Sequence, residues 1–166
     1  MTDDPQSSSA FEKFVALLDS PVFIVTVHAA GERAGCLVGF ASQVSMDPPR
    51  FLVGLSNKNF TYRVARNAQH LAVHLVSSDD VALAELFGGS TGDEVDKFAR
   101  CAWTTGPHEL PVLTDALAWF SGRIVHTVDF GDHVGFLLEP EGGDVGAKED
   151  IVTTSDVADL EPGHEA

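Results

Sequence analysis

Residues 35–62 read GCLVGFASQVSMDPPRFLVGLSNKNFTY, and this stretch decides the fold. It contains an apolar run punctuated by glycine, the corner Asp47-Pro48-Pro49, and a second apolar run that ends in polar residues. Because proline donates no ladder hydrogen bond and is confined to the starts and edges of strands, the pattern predicts two strands joined at this corner. The polar residues then lie at a strand end, where a helix begins.

That polar cluster consists of Ser56, Asn57, Lys58, Asn59 and Thr61. If Thr61 opens a helix, backbone N–H groups without intrahelical partners point to the same place as these side chains, and Lys58 adds a positive charge. The cluster then forms an anion site. The other interpretation is a helix cap alone, since Asn, Ser and Thr are ordinary capping residues.

Further motifs follow in order along the chain. They are Asp96-Lys97-Phe98, Pro111-Val112-Leu113 and Gly131-Asp132-His133. With Gly35, Val44, Ser45, Asp47-Pro48-Pro49 and Thr61, this ordered set resembles the flavin reductase-like family, whose members share an FMN-binding split β-barrel. The matches extend over about residues 11–140, which is most of the chain.

The resemblance implies a mainly β fold, an antiparallel, Greek-key-like split β-barrel with a few short helices. It also implies a flavin-dependent oxidoreductase. In the family, hydride passes from NAD(P)H to FMN or FAD held between the two subunits of a homodimer, and the reduced flavin then serves a partner monooxygenase. Independently, short β-runs that outnumber the helices predict an antiparallel barrel.

The resemblance also assigns site residues. His133 faces the nicotinamide as the catalytic residue, although Gly-Asp before it is also ordinary turn chemistry. The Asp-Lys-Phe motif places Lys97 near the cofactor, with a solvated lysine as the alternative. Phe87 is a further candidate from its position at a helix end before a glycine-rich loop, where it packs either near the ring or in the core. Backbone of the first strand lines the flavin ring, and the turn holds its phosphate end: Gly35, Cys36, Leu37, Val38, Gly39 and Phe40 at the ring, and Ser56, Asn57, Lys58 and Thr61 at the phosphate.

One segment departs from the family. Where its members carry Thr-Ala-Ser-Ser-Phe, this chain has Leu37-Val38-Gly39-Phe40-Ala41, so side-chain hydroxyls are missing there. Backbone groups still pair with a flavin edge, and Gly39 permits close approach. Two other hypotheses therefore stay open: a non-catalytic carrier or sensor of flavin or deazaflavin, and a deazaflavin-dependent reductase on a related barrel.

Composition limits the partners. The 166 residues suit one domain, and 25 acidic against 10 basic residues give a formal net charge of −15. Such a charge repels nucleic acid and anionic membranes, so we expect neither as a partner. An anionic cofactor needs local cations, and the cations nearby in the sequence are Lys58, Arg63, Arg66 and Arg33.

Two cysteines form no disulfide framework, and a polar, acidic start without a signal-peptide pattern favours the cytoplasm.

The remaining expectations concern the chain ends and the histidines. Residues 1–8 are predicted to be disordered, with a capping box at Ser9 opening a helix, and the domain then runs over residues 9–154. Residues 139–150 are predicted as an acidic loop, and residues 155–166 as an acidic flexible tail. His70 and His74 share the outer face of a strand but stand about 13 Å apart, too far to share an ion, so we predict no metal site.

Overall fold

The computed structural model describes residues 5–147 and 149–163. Over these residues the chain forms three α-helices and nine strands. The helices are α1 (Pro5–Ala16), α2 (Phe60–Ala65) and α3 (Val81–Gly89). The strands are β1 (Phe23–Ala29), β2 (Glu32–Val38), β3 (Ala41–Met46), β4 (Pro49–Ser56), β5 (His70–Leu75), β6 (Trp103–Thr105), β7 (Pro111–Leu113), β8 (Ala118–Asp129) and β9 (His133–Val145).

Seven strands form one antiparallel sheet in the order β2-β1-β5-β8-β9-β4-β3, and β6 pairs with β7. Side chains from β2, at one edge, and from β4, next to the other edge, pack in the same hydrophobic cluster as Phe136 and Leu138 of β9. The sheet therefore coils around one core. The predicted fold class, mainly β and antiparallel with few helices, is confirmed.

The organising stretch differs from its prediction in one respect. The apolar run before the proline corner is two strands, because β2 ends at Val38 and β3 begins at Ala41. These strands lie on opposite edges of the sheet, so Gly39 and Phe40 carry the chain from one edge to the other. Phe40 O accepts a hydrogen bond of 2.7 Å from Gly54 N of β4, which fixes the crossing. The corner itself joins β3 to β4 as predicted, and the Asp47-Pro48 bond is cis.

A second cluster covers the outer face of β1 and β5. It includes Leu83 and Phe87 of α3, with Phe98 and Leu113. His74, predicted on the outer face of β5, is fully buried here. The alternation of apolar residues along β5 did not show that this face is buried, because the elements that cover it come from distant parts of the sequence.

The chain ends also differ from their predictions. Helix α1 begins at Pro5, so residues 5–8 are helical, and residues 1–4 lie outside the described part. Strand β9 continues to Val145, through most of the predicted acidic loop. Residues 155–163 of the predicted flexible tail pack on α3: Gly163 N donates to Gly88 O at 3.2 Å. In the described ranges, no helix has the length and apolar character needed to cross a membrane.

Candidate functional site

The Gly39-Phe40 crossing forms one wall of a cavity of about 250 Å³. The end of β2 and the end of β4 contribute the rest of that wall. The remaining lining comes from α3, the β9 hairpin and the C-terminal segment. The lining residues are Cys36, Leu37, Val38, Gly39, Phe40, Gly54, Leu55, Ser56, Asn59, Gly88, His133, Val157, Leu160 and Pro162.

A neighbouring cavity of about 460 Å³ shares four of these residues, Gly39, Phe40, Gly54 and His133. A Cβ placed on Gly39 would meet no heavy atom within 4 Å, so the backbone there faces open space. The two cavities thus meet at the main chain of Gly39, which has no side chain, beside the aromatic rings of Phe40 and His133. A flat aromatic molecule can approach the main chain at this point.

His133 begins β9 and pairs with Ser56 of β4 in the ladder. Its imidazole Nδ1 lies 2.7 Å from Asp132 Oδ1, and its ring packs edge-on against Phe40 with centroids 4.9 Å apart. The hydrogen bond from His133 lowers the pKa of Asp132, with a smaller contribution from the charge of Lys58. The imidazole is therefore oriented on two sides and borders both cavities.

The turn after β4 acts as a helix cap. Asn59 Oδ1 accepts a hydrogen bond of 2.8 Å from Thr61 N, and α2 begins at Phe60 instead of Thr61. Thr61 is buried, and its side chain hydrogen-bonds the buried Cys36 thiol, whose pKa burial raises. Thr61 therefore faces the interior and does not reach the cavity, because the first turn of α2 is turned into the core.

Lys97 also has an interior position. Its ammonium donates to Gly35 O at 2.8 Å and to Phe87 O at 3.0 Å, and only 4% of the residue is exposed. Burial lowers the pKa of Lys97. A Cβ on Gly35 would lie 2.7 Å from Phe87 Cε1, so the close approach that this glycine permits is to Phe87. These three residues join β2 to α3 and are not among the residues that line the cavity described above.

Asn57 and Lys58 lie on the exposed rim of the site. Asn57 N donates to Asp132 O at 2.9 Å, and its side chain donates to Gly131 O at 3.3 Å. These bonds connect the β4 turn to the hairpin that carries His133. Lys58 lies close enough to lower the pKa of Asp132.

Two other predicted cations are engaged elsewhere. Arg33 lies over the Trp103 ring, 4.7 Å from its centroid, and Arg63 forms an ion pair with Asp93. A groove of about 470 Å³ beside Arg33 is larger than the cavity at Gly39, yet four carboxylates line it: Glu32, Asp93, Glu94 and Asp96. That groove does not suit an anionic cofactor.

The C-terminal segment, residues 155–163, supplies a wall that sequence reasoning missed. Val157, Leu160 and Pro162 line the cavity. A Cβ on Gly88 would lie 2.6 Å from Leu160 Cδ2 and 2.8 Å from Leu37 Cδ2, so this glycine permits α3, β2 and the segment to meet. Asp19 anchors the segment through Ser155 N at 3.0 Å and Ser155 Oγ at 3.0 Å.

The structure brings together about half of the predicted site. Cys36, Leu37, Val38, Gly39, Phe40, Ser56 and His133 line the cavity, and the other six residues do not. Gly54 and Leu55 were missed although they lie in the organising stretch, directly before Ser56 in β4. No sequence signal pointed to Gly88 or to the C-terminal wall.

The mainly β, antiparallel fold with few helices agrees with the class that the sequence motifs predict. The chain matches the flavin reductase like domain over residues 15–155. It therefore belongs to the flavin reductase-like family, and the resemblance stated from the sequence is confirmed.

Among its relatives, proteins named FMN reductase (NADH) RutF are similar over most of the chain. The protein from Ancylobacter novellus is 31% identical over 147 residues, which cover 88% of this chain and 81% of the relative. The one from Agrobacterium fabrum is 34% identical over 128 residues, which cover 77% of this chain and 73% of the relative.

Solved structures agree on the fold. A flavin reductase domain protein from Arthrobacter sp. FB24 superimposes with a TM-score of 0.80 at 25% identity, covering 88% of this chain and 89% of that one. An NADH:FAD oxidoreductase from Streptomyces globisporus has a TM-score of 0.80 at 21% identity, covering 92% and 91%. The latter likeness shows the shared fold alone.

Proposed function

We propose that the protein is an NADH-dependent flavin reductase whose flavin binds at the Gly39-Phe40 crossing. The observation that carries the proposal is the meeting of two cavities at the open backbone of Gly39, beside Phe40 and His133. The relatives named FMN reductase (NADH) support both the flavin and the choice of nicotinamide.

The lining residues fit a flavin. Leu37, Val38 and Leu55 offer apolar contacts to a ring, while Ser56 and Asn59 offer polar groups at one end. Lys58 on the rim is the cation nearest to this end in the chain, which suits a phosphate despite the net charge of −15. Side-chain hydroxyls are missing at positions 37–40, so hydrogen bonds to the ring edge come from the backbone around Gly39.

When bound, the flavin supplies the redox chemistry by accepting a hydride, a proton with two electrons, from the reduced nicotinamide. The protein orients the reactants. Asp132 fixes the His133 imidazole at Nδ1, and Phe40 fixes its plane. His133 can then hydrogen-bond a carboxamide or place positive charge beside the reduced ring. Leu37 and the C-terminal segment would cover one side of a bound flavin ring and keep water away from it.

Absorbance titrations of the purified protein test this proposal. FMN, FAD and a deazaflavin are added separately, and NADH or NADPH is then added to each sample. We expect FMN or FAD to bind and NADH to be oxidised in its presence. Protein that takes up no flavin, or holds flavin without oxidising either nicotinamide, would refute the reductase; the second result would favour a carrier or sensor.

The role of His133 has its own test. Replacing His133 by Asn removes the imidazole, and we expect kcat to fall by about a hundredfold or more, since loss of one well-placed electrostatic or proton-donating group costs on the order of 10²–10³-fold. His126→Asn changes an exposed histidine of β8 and is the control. Equal kcat values for His133→Asn and His126→Asn would mean that His133 serves only as a residue of the hairpin turn and has no catalytic role.

We further propose that reduced flavin leaves the cavity for a partner monooxygenase, and that the protein works as a homodimer. The two wide-mouthed cavities support the first proposal, because a flavin held there is not enclosed. Placing the reductase with NADH and a flavin-dependent monooxygenase on opposite sides of a dialysis membrane tests it. Substrate hydroxylation across the membrane is expected, and its absence would contradict free release.

A further inference from the structure

A cluster of two histidines and one glutamate lies at the other end of β9 from His133. His70 begins β5, His108 lies in the one-turn 3₁₀ helix before β7, and Glu141 lies in the second half of β9, toward the end opposite His133. Glu141 Oε2 is 3.4 Å from His70 Nε2 and 3.0 Å from His108 Nε2. The potential ligand atoms all lie within 4.8 Å of one another.

This spacing is that of a metal site. Tetrahedral zinc binds His nitrogen and carboxylate oxygen at about 2.0–2.2 Å, which places neighbouring ligand atoms roughly 3.3 Å apart. The two separations to Glu141 are close to that value. The three side chains are therefore close enough to share an ion, and binding requires one of the two stacked imidazole rings to rotate, because a coordinated ion lies near the plane of each ring.

The fold positions these side chains from three separate segments. His70 is held on a strand in the middle of the sheet, with 13% of its side chain exposed. His108 has φ 57° and ψ 28°, and Glu109 also has a positive φ of 62°, a conformation that costs energy for residues other than glycine. This backbone stacks the His108 ring on the His70 ring, with centroids 3.5 Å apart and planes 7° from parallel.

We propose that His70, His108 and Glu141 bind a divalent transition-metal ion of the Zn²⁺ class. Two imidazole nitrogens and a carboxylate suit Zn²⁺, Co²⁺, Ni²⁺ and Cu²⁺ better than the oxygen-seeking Ca²⁺ or Mg²⁺. Water occupies the remaining position, because His108 and Glu141 are exposed. His74 does not take part, since Nδ1 bonds Ile24 O and Nε2 accepts from Leu113 N.

The ion would join the turn before β7 to β5 and β9. His133 and Glu141 are eight residues apart on one strand, on the order of 25 Å at about 3.3 Å per residue. The site is therefore distinct from the proposed redox cavity, and its expected effect is on stability and not on flavin chemistry.

Calorimetric titration of tag-free, EDTA-treated protein with Zn²⁺ tests the proposal, with Co²⁺ absorbance reporting the ligand geometry. We expect one equivalent of Zn²⁺ to bind, and at least tenfold weaker binding in His108→Asn and in Glu141→Gln. Asparagine suits the positive φ of position 108. His126→Asn and Glu85→Gln are the controls, because both positions are exposed and remote in sequence from the cluster.

Thermal unfolding gives a second readout that does not depend on flavin binding. Zn²⁺ should raise the Tm of the unsubstituted protein and leave that of Glu141→Gln unchanged, because only a metal bound to the folded state stabilises it. NADH oxidation should be equal with and without Zn²⁺. The site is refuted if no stoichiometric binding occurs, or if the variants bind as tightly as the controls.

Discussion

Gly39 is the residue at which the absence of a side chain shapes the candidate site. It sits between β2 and β3, where the chain crosses from one edge of the sheet to the other. Its Cα faces open space, whereas Gly35, four residues earlier, is closed off by Phe87. Two glycines of the same stretch thus have opposite roles, one exposing backbone to a ligand and one permitting core packing.

Replacing Gly39 by Val should block the cavity without unfolding the protein. The added side chain meets no heavy atom within 4 Å at its Cβ, so stability should change by less than about 0.5 kcal/mol. FMN affinity, measured by fluorescence titration, should fall at least tenfold. Gly142→Val is the control, because a Cβ there also meets nothing within 4 Å but lies in β9 away from the cavity. Unchanged affinity in Gly39→Val would place the flavin elsewhere.

Lys97 illustrates a charged residue that serves the core. Lys97→Met keeps the apolar stem but leaves Gly35 O and Phe87 O without the ammonium donor. Because a buried acceptor left unsatisfied costs about 1–3 kcal/mol, we expect the free energy of unfolding to fall by about 2 kcal/mol or more. Urea denaturation measures it, with the exposed Lys58→Met as control. If Lys97→Met instead lowered flavin affinity and left stability unchanged, the predicted contact of Lys97 with the anionic end of the cofactor would be supported.

His74 makes the stability depend on pH. Burial lowers its pKa from 6.5 to about 4, against the opposing effect of the Ile24 carbonyl. The unfolded chain therefore binds a proton that the folded protein does not bind between these values. The stabilisation is fully present above pH 6.5 and is lost as the pH falls toward 4, by roughly 3 kcal/mol in total.

The measurement is an NMR titration of the imidazole, with urea unfolding at each pH. His74 should remain neutral at pH 5, and His74→Gln should lose part of the acid sensitivity that the unsubstituted protein shows. A His74 resonance that titrates near 6.5 would contradict the buried, neutral state.

At the scale of elements, the C-terminal segment changes the shape of the site. Its composition predicts a mobile tail, yet residues 155–163 are anchored by Asp19 and packed on α3. Val157, Leu160 and Pro162 add apolar surface to a cavity otherwise built from β2, β4 and the β9 hairpin. Flavin affinity should therefore depend on a segment outside the sheet.

Leu160→Ala should weaken FMN binding about tenfold, which corresponds to about 1.4 kcal/mol, because it removes part of an apolar wall. Leu17→Ala is the matched control, since Leu17 directly follows α1, is 84% exposed and lines neither cavity of the candidate site. Fluorescence titration of both variants gives the comparison. Tighter binding in Leu160→Ala would indicate that the segment competes with the flavin.

At the scale of the whole molecule, exposed apolar side chains point to self-association. Edge strand β3 exposes Val44 and Met46, and Phe40 and Phe130 are exposed beside it. An edge strand with apolar side chains is a ready surface for another chain. A second copy is the occupant that the family resemblance implies.

Met46→Glu should convert a dimer into a monomer, because it places a charge at the proposed interface. Light scattering after gel filtration measures the mass of each species. Val145→Glu is the control, since Val145 is also strongly exposed, at 77%, but lies at the far end of β9. A monomeric unsubstituted protein would refute the homodimer, and a dimer unaffected by Met46→Glu would place the interface elsewhere.

The sequence by itself determined the mainly β, antiparallel fold and the proline corner, since these depend on alternation and on proline geometry, which are local; the role of His133 came from the family resemblance and stays a prediction. Only the tertiary structure decided that Gly39 lies at an open crossing, that Thr61, Phe87 and Lys97 face the interior, and that the C-terminal segment supplies one wall of the cavity. The physical reason is distance along the chain. Whether a polar side chain meets water, a ligand or a buried carbonyl depends on elements far away in the sequence, as the contact of Lys97 with Gly35 shows.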